Sequence, residues 1–305
     1  MIFAIIVILS DLGRSKKMYE VISNYRDNQE LRDSFNALAE KTFGLNFENW
    51  YQNGFWGDNY NPYSIVIDNK VIANVSVNKT DMLIDGEVKH FLQLGTVMTD
   101  DAYRNQGLSR RIMDEIEKEY TGKVDGIYLF GNDNVVEFYP KFGFVKGKEY
   151  QYSKKISNVG ECKLKQIIMD NEEAWKKLVD AMNVTIFHGE FDMVGNPGLI
   201  MFYITSFMQE SVYYNEETDT YVIADIEDDS AFIHNVFSTK LTELNDVLKL
   251  FGDSVKEITL GFTPKGGEGY DVIEYHEEDC TFFVKGDEFG IMEQKKLRFP
   301  SLSHA

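Results

Sequence analysis

Residues 93–109, QLGTVMTDDAYRNQGLS, constrain this 305-residue chain more than any other stretch. The apolar run at 91–98 predicts a strand, and it leads into Arg104-Asn105-Gln106-Gly107-Leu108-Ser109. A helix is predicted at once, running to about Tyr120. Leu108, Ile112, Met113, Ile116 and Tyr120 share one face, with Arg110, Asp114, Glu117 and Lys118 mostly on the other. The first-turn amides of a helix point at an anion, and a glycine ahead of them lets an oxygen approach without meeting a β-carbon. The segment therefore has the layout of a site that holds a pyrophosphate on backbone nitrogens. Arg104 closes the turn or adds a charged donor, and Ser109 offers an amide and a hydroxyl. Taken alone, the pattern fits an ordinary strand–helix turn with one glycine equally well.

The rest of the chain reads as α/β. Residues 19–25 predict a strand and 28–43 a helix; 45–63 is aromatic and turn-rich. A hairpin is expected from 63–67 and 71–77 across Asp68-Asn69-Lys70, then a strand at 81–86. Residues 126–130 read as a buried strand, 132–142 as a short helix closed by Gly143, and 144–154 as a last strand. The pattern restarts near 157–160, which sets domains at 18–156 and 160–305. The second half predicts helices at 171–182, 199–209 and 242–251 and a loop at 189–197. Its strands are expected at 221–226, 231–237, 258–262 and 281–285. The order strand, strand, helix, strand repeats the centre of the first half. At the matching junction, Ser238-Thr239-Lys240-Leu241-Thr242-Glu243 has no glycine, so the second half reads as a degenerate copy with no cofactor of its own.

Composition narrows the partners. A net charge of −19 repels nucleic acid and anionic membrane, so neither is expected. It attracts cationic small molecules or serves only solubility. Cys162 and Cys280 are too few for a disulfide framework or a cysteine-based metal site; both are expected as buried apolar residues in a reducing cytoplasm. The opening MIFAIIVILS is too short to span a bilayer and lacks the marks of a signal peptide. It reads either as an edge strand or as part of a translated leader, 1–17. The second reading follows because Gly13-Arg14-Ser15-Lys16-Lys17 can be encoded by a purine-rich ribosome-binding run ahead of Met18. His188, Glu190 and Asp192 can be drawn as a metal site but lack a helical histidine pair or a cysteine set, so a structural or surface role is expected and no metal. Gly266-Gly267-Glu268-Gly269 reads as a flexible turn.

A second block, Asn132, Tyr139 and Gly143-Phe144, stands beyond the loop. Together the two blocks resemble the GCN5-related N-acetyltransferase (GNAT) family over about 18–156, with a degenerate GNAT-like domain behind. The resemblance implies an α/β (α+β) mixed sheet, the GNAT-like acyl-CoA N-acyltransferase fold, whose two central strands splay around an acyl thioester. It implies acetyl-CoA as cosubstrate, and transfer of its acetyl group to a primary amine of a small molecule or peptide. The backbone of Val97, Met98 and Thr99 would meet the acetyl and pantetheine parts. Arg104, Asn105, Gln106, Gly107, Leu108, Ser109 and Arg110 would hold the pyrophosphate. Asn132 would bond the pantetheine arm, and Tyr139 would be the general acid. Asp101 stands where the family usually has proline and Ser109 where it has a second glycine. The Asp100–Asp101 pair is unfavourable beside a polyanion unless it points away.

The chemistry sets requirements. A lysine-like amine, with a pKa of about 10.4, is almost fully protonated at neutral pH and must lose a proton. A tyrosine hydroxyl, with a pKa of about 10, suits the departing thiolate. The base is open among Glu48, Asp81, Asp85, Glu87, Asp100 and a terminal carboxylate at Ala305 of the kind related aminoglycoside-modifying enzymes use. Trp50, Trp56 and Tyr60 either line an amine slot by cation–π contact or cap the core. Three classes stay in play: the N-acetyltransferase, a catalytically weak acyl-CoA sensor, and a purely structural interaction protein. A homo-oligomer is left open.

Overall fold

The computed structural model describes residues 19–304, so the expected leader, Met18 and Ala305 lie outside the described residues. In the first half, β1 (Val21–Ile22), α1 (Gln29–Phe43) and α2 (Glu48–Gln52) precede β2 (Tyr60–Ile67), β3 (Lys70–Ile84) and β4 (Glu87–Thr99). Then come α3 (Leu108–Tyr120), β5 (Gly126–Gly131), β6 (Val145–Lys146) and β7 (Glu149–Lys155). The second half holds β8 (Lys165–Gln166), α4 (Glu172–Val184), β9 (Phe191–Val194), α5 (Pro197–Ser206) and β10 (Val212–Asn215). It continues with β11 (Thr220–Glu227), β12 (Ser230–Ser238), α6 (Leu244–Leu248) and β13 (Glu257–Leu260). The last elements are β14 (Asp271–Tyr275), β15 (Thr281–Lys285) and α7 (Gly290–Gln294). Among the described residues, no helix is long and apolar enough to cross a membrane.

Four local expectations are corrected. The helix expected over 132–142 is two 3₁₀ turns, Asp133–Val135 and Tyr139–Phe142. Pro140 lacks the amide a continuous helix needs, and Gly143 ends the second turn at φ 83°. The strand expected over 144–154 breaks into β6 and β7 around Gly147, whose hydrogen faces the Phe282 ring so closely that a β-carbon would sit 2.5 Å from it. The residues expected to loop at 189–197 include β9, which pairs with Asp81–Ile84 of β3. Cys162 is exposed and Cys280 half-buried, against the expectation that both are buried.

The strands form two mixed sheets. The first runs β1-β2-β3-β4-β5-β15-β6, with β9 added at the far end of β3; the second runs β14-β7-β13-β12-β11-β10-β8. In each, one central pair is parallel, β4 with β5 and β12 with β13, and its neighbours are antiparallel. From β2 to β6 and from β10 to β14 the succession of pairings is the same, so the repeat expected from the sequence is present as a repeated topology. The strand beside the parallel pair is exchanged, however. β15 of the second half lies against β5, and β7 of the first half lies against β13. The division expected at 157–160 falls between β7 and β8, which both belong to the second sheet. It does not separate the sheets.

Exchange of this kind must be locked by packing between the halves. Phe299 is wholly buried, stacks on Tyr128 at 4.1 Å and meets Phe91, Phe191 and Phe282. The even-numbered face of β3 is polar yet buried: Ser76, Asn78 and Thr80 lie inside, with Asn196 of the second half donating to Asn78 Oδ1 at 3.2 Å. Phe299→Ala is expected to cost about 3–5 kcal/mol. Urea unfolding followed by far-ultraviolet dichroism and by tryptophan fluorescence will show both probes shifting together, because neither sheet keeps its strands alone.

Candidate active site

β4 and β5 pair for four residues, from Phe91 opposite Gly126 to Leu94 opposite Leu129. Past that point they part. β4 carries a bulge there: Asn74 faces Met98 and Ser76 faces Gly95, leaving Thr96 and Val97 opposite Val75 alone. Thr96 takes φ 48°, a strained value for a β-branched residue. It is held by Asn74, whose Nδ2 donates to the Thr96 carbonyl at 2.9 Å, and by the Tyr60 hydroxyl, 2.5 Å from Thr96 Oγ1. The bulge turns the end of β4 away from β3 and re-aims its peptide groups into the gap.

From Thr99 a 3₁₀ turn at Asp101–Tyr103 leads through Asn105 (φ 61°) and Gly107 (φ 74°) to α3. The other helices of ten residues or more begin on asparagine caps, Asn28, Asn171 and Asn196, each accepting a first-turn amide. α3 begins on Gly107 with no side-chain cap. Its first backbone bond is from Arg111 to Gly107 at 3.1 Å, so the amides of Leu108, Ser109 and Arg110 lack helical partners. A β-carbon on Gly107 would find nothing within 4 Å, so the space in front of these amides is open. Asp100 and Asp101 do not face it bare. Asp100 accepts from the Ala102 amide and lies 3.2 Å from Lys70; Asp101 lies 2.9 Å from both Lys41 and Arg104. The Ala102 amide and Lys70 hold the Asp100 carboxyl below its ordinary value, and Lys41 does so for Asp101. Arg104 is thus the clasp of the turn.

A cleft of about 1420 Å³ opens at the parting strands. Val97, Met98, Thr99, Arg104, Asn105, Gln106, Gly107, Leu108, Ser109, Arg110, Asn132 and Tyr139 all line it, as do Trp50 and Tyr60. Trp56 does not. It is buried behind Trp50, stacked at 5.5 Å, and its indole donates to the Tyr60 carbonyl at 3.0 Å, so of the two readings of the aromatic stretch it takes the core-capping one. The Asn132 amide donates to Asp279 at 3.0 Å, which leaves its carbonyl oxygen free to accept. Tyr139 is 5% exposed, and burial pushes its hydroxyl up to about 12. Its ring lies so close to Gly131 that a β-carbon there would sit 2.6 Å from it.

Ala305 lies outside the described residues, and none of the five side-chain carboxylates weighed as a base lines the cleft. Glu48 is clamped by Arg32 at 2.7 Å, Asp81 binds His90 at 2.7 Å, Asp85 pairs with Lys295, and Glu87 is exposed at a hairpin turn. His188 and Asp192 touch at 3.3 Å, while Glu190 turns to Lys295 at 3.1 Å; among the described residues no three metal-ligating side chains gather. Several wall residues carry no local sequence signal: Thr96, whose strain needs the bulge; Phe202 and Tyr203 of α5; and His304, which arrives from the far end of the chain. At the matching gap of the second sheet the strands part after Ile233 and Leu260. There another stretch of chain lies against the parting strand: the Ser301 amide donates to the Gly261 carbonyl at 2.7 Å.

Residues 25–144 match the Acetyltransferase (GNAT) family. This stretch is a GNAT domain. The uncapped helix start, the bulged strand and Tyr139 all belong to it, and membership supports acyl transfer. No curated protein matches the sequence. Among solved structures, the chain is similar to a conserved protein of unknown function from Enterococcus faecalis V583, described as a probable N-acyltransferase. That likeness has 15% identity and a TM-score of 0.56, over 88% of this chain and 72% of that one. Eis1 from Mycobacterium abscessus gives 8%, 0.53, 86% and 73%. A GCN5-related N-acetyltransferase from Kribbella flavida gives 14%, 0.52, 87% and 71%. At these identities the likeness is one of fold, and it extends beyond the GNAT domain into the second half.

The Arg32–Glu48 pair ties α1 to α2 beneath the aromatic wall. Arg32 holds the Glu48 carboxyl below its ordinary value. A depressed acid stabilises the fold above its unfolded pKa and loses that contribution as pH falls through the folded value. Glu48→Gln is expected to flatten the fall in stability below about pH 4.5, measured as melting temperature against pH, without changing the cleft.

Proposed function

We propose that the protein is an N-acetyltransferase that moves the acetyl group of acetyl-CoA to a primary amine of a small molecule or peptide. One observation carries this reading: Leu108, Ser109 and Arg110, whose amides lack helical partners, line the same cleft as Tyr139 and the bulged end of β4. The cosubstrate's pyrophosphate fits the three amides and the open space before Gly107. Arg110 and Lys141 add positive charge on that side. The thioester arm would run along Val97, Met98 and Thr99, with Asn132 accepting a pantetheine amide.

In the reaction the uncharged amine nitrogen attacks the thioester carbon. Peptide N–H groups freed by the bulge steady the oxyanion. As the C–N bond forms and the C–S bond breaks, Tyr139 gives its phenolic proton to the thiolate. The proton lost from the amine nitrogen returns to the phenolate through water, so the products are the amide, the thiol and an unchanged tyrosine. Because burial raises its hydroxyl to about 12, Tyr139 keeps its proton across the physiological range and stays competent as the acid. A second reading, an acyl-CoA sensor with little turnover, is favoured by the lack of a side-chain carboxylate in the cleft wall among the described residues.

Calorimetry with acetyl-CoA, followed by thioester consumption across a panel of amines, tests the choice: turnover supports the enzyme, and binding with no turnover supports the sensor. Tyr139→Phe is expected to bind acetyl-CoA normally and to lose about 100-fold or more in kcat. Unchanged kcat would remove Tyr139 from the mechanism. The wild-type kcat should show no loss at high pH attributable to Tyr139 until about pH 12, which a pH–rate profile to pH 10 will check by the absence of a falling limb.

A further inference from the structure

We propose that the acceptor is a monoamine with an aromatic or other apolar body, bound uncharged between the Trp50–Tyr60 corner and α5 with its nitrogen at His304 Nε2. The chemistry rests on the acyl-transfer reading of this cleft; the choice of occupant rests on the wall itself.

The cleft has two unlike ends. Arg104, Arg110 and Lys141 belong to the end at the start of α3. The other end is a box of rings: Phe47 stacks on Phe202 at 5.2 Å and on Tyr60 at 5.8 Å, and Trp50 meets Tyr60 at 5.3 Å. The polar atoms of these rings are already used. The Trp50 indole donates to the Gly198 carbonyl at 2.7 Å, the Tyr60 hydroxyl is on Thr96, and the Tyr203 hydroxyl donates to the His304 carbonyl at 2.6 Å. Among the described residues no aspartate or glutamate lines this cleft.

That distribution excludes a polycation. An ammonium leaving water for such a box loses several kcal/mol of hydration. A cation–π contact returns about 2 kcal/mol at best, and the charges sharing the cleft wall are positive. A second or third ammonium has no partner at all. A flat or apolar body instead gains area and ring contacts.

One polar atom remains. The His304 imidazole stacks on Phe130 at 3.7 Å, at the splayed end of β5, and its Nε2 is buried with no hydrogen-bond partner. An orphaned buried nitrogen is costly unless something bonds it. Burial, with Arg298 nearby, pushes the ring down to about 3, so it stays neutral. In the tautomer that leaves Nε2 bare, it accepts an N–H from an uncharged amine and turns the lone pair of the amine away from itself, toward the thioester.

The test uses the full chain with acetyl-CoA and four amines: 2-phenylethylamine, hexylamine, spermidine and kanamycin. Turnover is measured as kcat/KM, and binding to the complex with desulfo-coenzyme A is measured by calorimetry. 2-Phenylethylamine is expected to exceed spermidine and kanamycin by about 100-fold in both, the size of a well-filled apolar contact set. His304→Ala should lower its kcat/KM about tenfold, with acetyl-CoA affinity unchanged, and His304→Gln, which keeps an acceptor, should recover part of the loss. Spermidine or kanamycin equalling the aromatic amine in either measurement overturns the inference, while leaving acyl transfer standing. So does a preference for octanoyl-CoA over acetyl-CoA with no discrimination among amines, which would give the box to an acyl chain. Selective binding of 2-phenylethylamine with no turnover supports the occupant and overturns the acyl-transfer reading alone. Failure of every amine to bind, with acetyl-CoA still bound, overturns the occupant.

Discussion

Two parallel strands that part leave backbone donors and acceptors facing each other across a gap, and each must find a partner. This chain meets that constraint twice, once in each sheet, and resolves it in opposite ways. In the second sheet the chain itself takes up a partner at the gap: the Ser301 amide donates to the Gly261 carbonyl. His234 fastens the closure, with one ring nitrogen 2.9 Å from Ser301 Oγ and the other 3.0 Å from Asp225. In the first sheet the gap stays open. The bulge at Thr96–Val97 turns the surplus peptide groups into it, and Asn74 and Tyr60 hold the strained conformation from behind. What differs is the availability of a ligand to complete the pairing. A gap kept for a ligand must not be zipped by the protein, and the missing cap on α3 obeys the same logic at the other end of the cleft.

One stretch near the end of the chain connects the two solutions. Phe299 lies in the aromatic core between the sheets, Ser301 closes the second gap, and His304 walls the first. The Phe299 amide donates at 2.9 Å to Glu149, a buried carboxyl that burial raises to about 7, with Arg298 beside it working in the opposite direction. Movement of this stretch would therefore disturb the core, the closed gap and the acceptor wall together. The strand exchange reinforces the coupling. The family match ends at residue 144, before β6, so the strand that flanks β5 inside the GNAT sheet comes from more than a hundred residues beyond the matched stretch. The second half is a structural part of the first sheet as well as a repeat of it.

The features legible in the sequence are those fixed by neighbours along the chain. The loop before α3 reads correctly because Gly107, the apolar stripe and the preceding strand act within a few residues of one another. Asn132 and Tyr139 reach the cleft because their spacing carries them around the end of β5. Features set by distant partners were hidden. Ser76, Asn78 and Thr80 alternate with apolar residues along β3, yet all three are buried: Asn74 donates to Ser76, Asn78 donates to Thr80 and Gln93, and Asn196 of the second half donates to Asn78. Trp50 and Trp56 are alike in composition and context; only α5, whose Gly198 carbonyl takes the Trp50 indole proton, separates the wall residue from the one behind it. The pairing of β7 and β15 across the sheets has no local marker, because a short apolar strand can extend either edge.

Charge placement completes the account of the cleft. A chain of net charge −19 that takes up a polyanion must keep its carboxylates from the binding surface or neutralise them. Both occur. Among the described residues the cleft wall has no side-chain carboxylate, and Asp100 and Asp101 beside the loop are held by Lys41, Lys70 and Arg104. Holding Asp101 occupies the arginine that would otherwise reach a phosphate. On the proposed reading, recognition of the pyrophosphate falls mainly on the fixed amides of α3, whose positions cost little to maintain because the helix behind them is packed through Leu108, Ile112 and Ile116. Dipoles fixed by packing remain in place whether or not the anion is bound. An acidic protein can accept an anionic cosubstrate in this way, by relying on oriented backbone where a basic one would rely on side-chain charge.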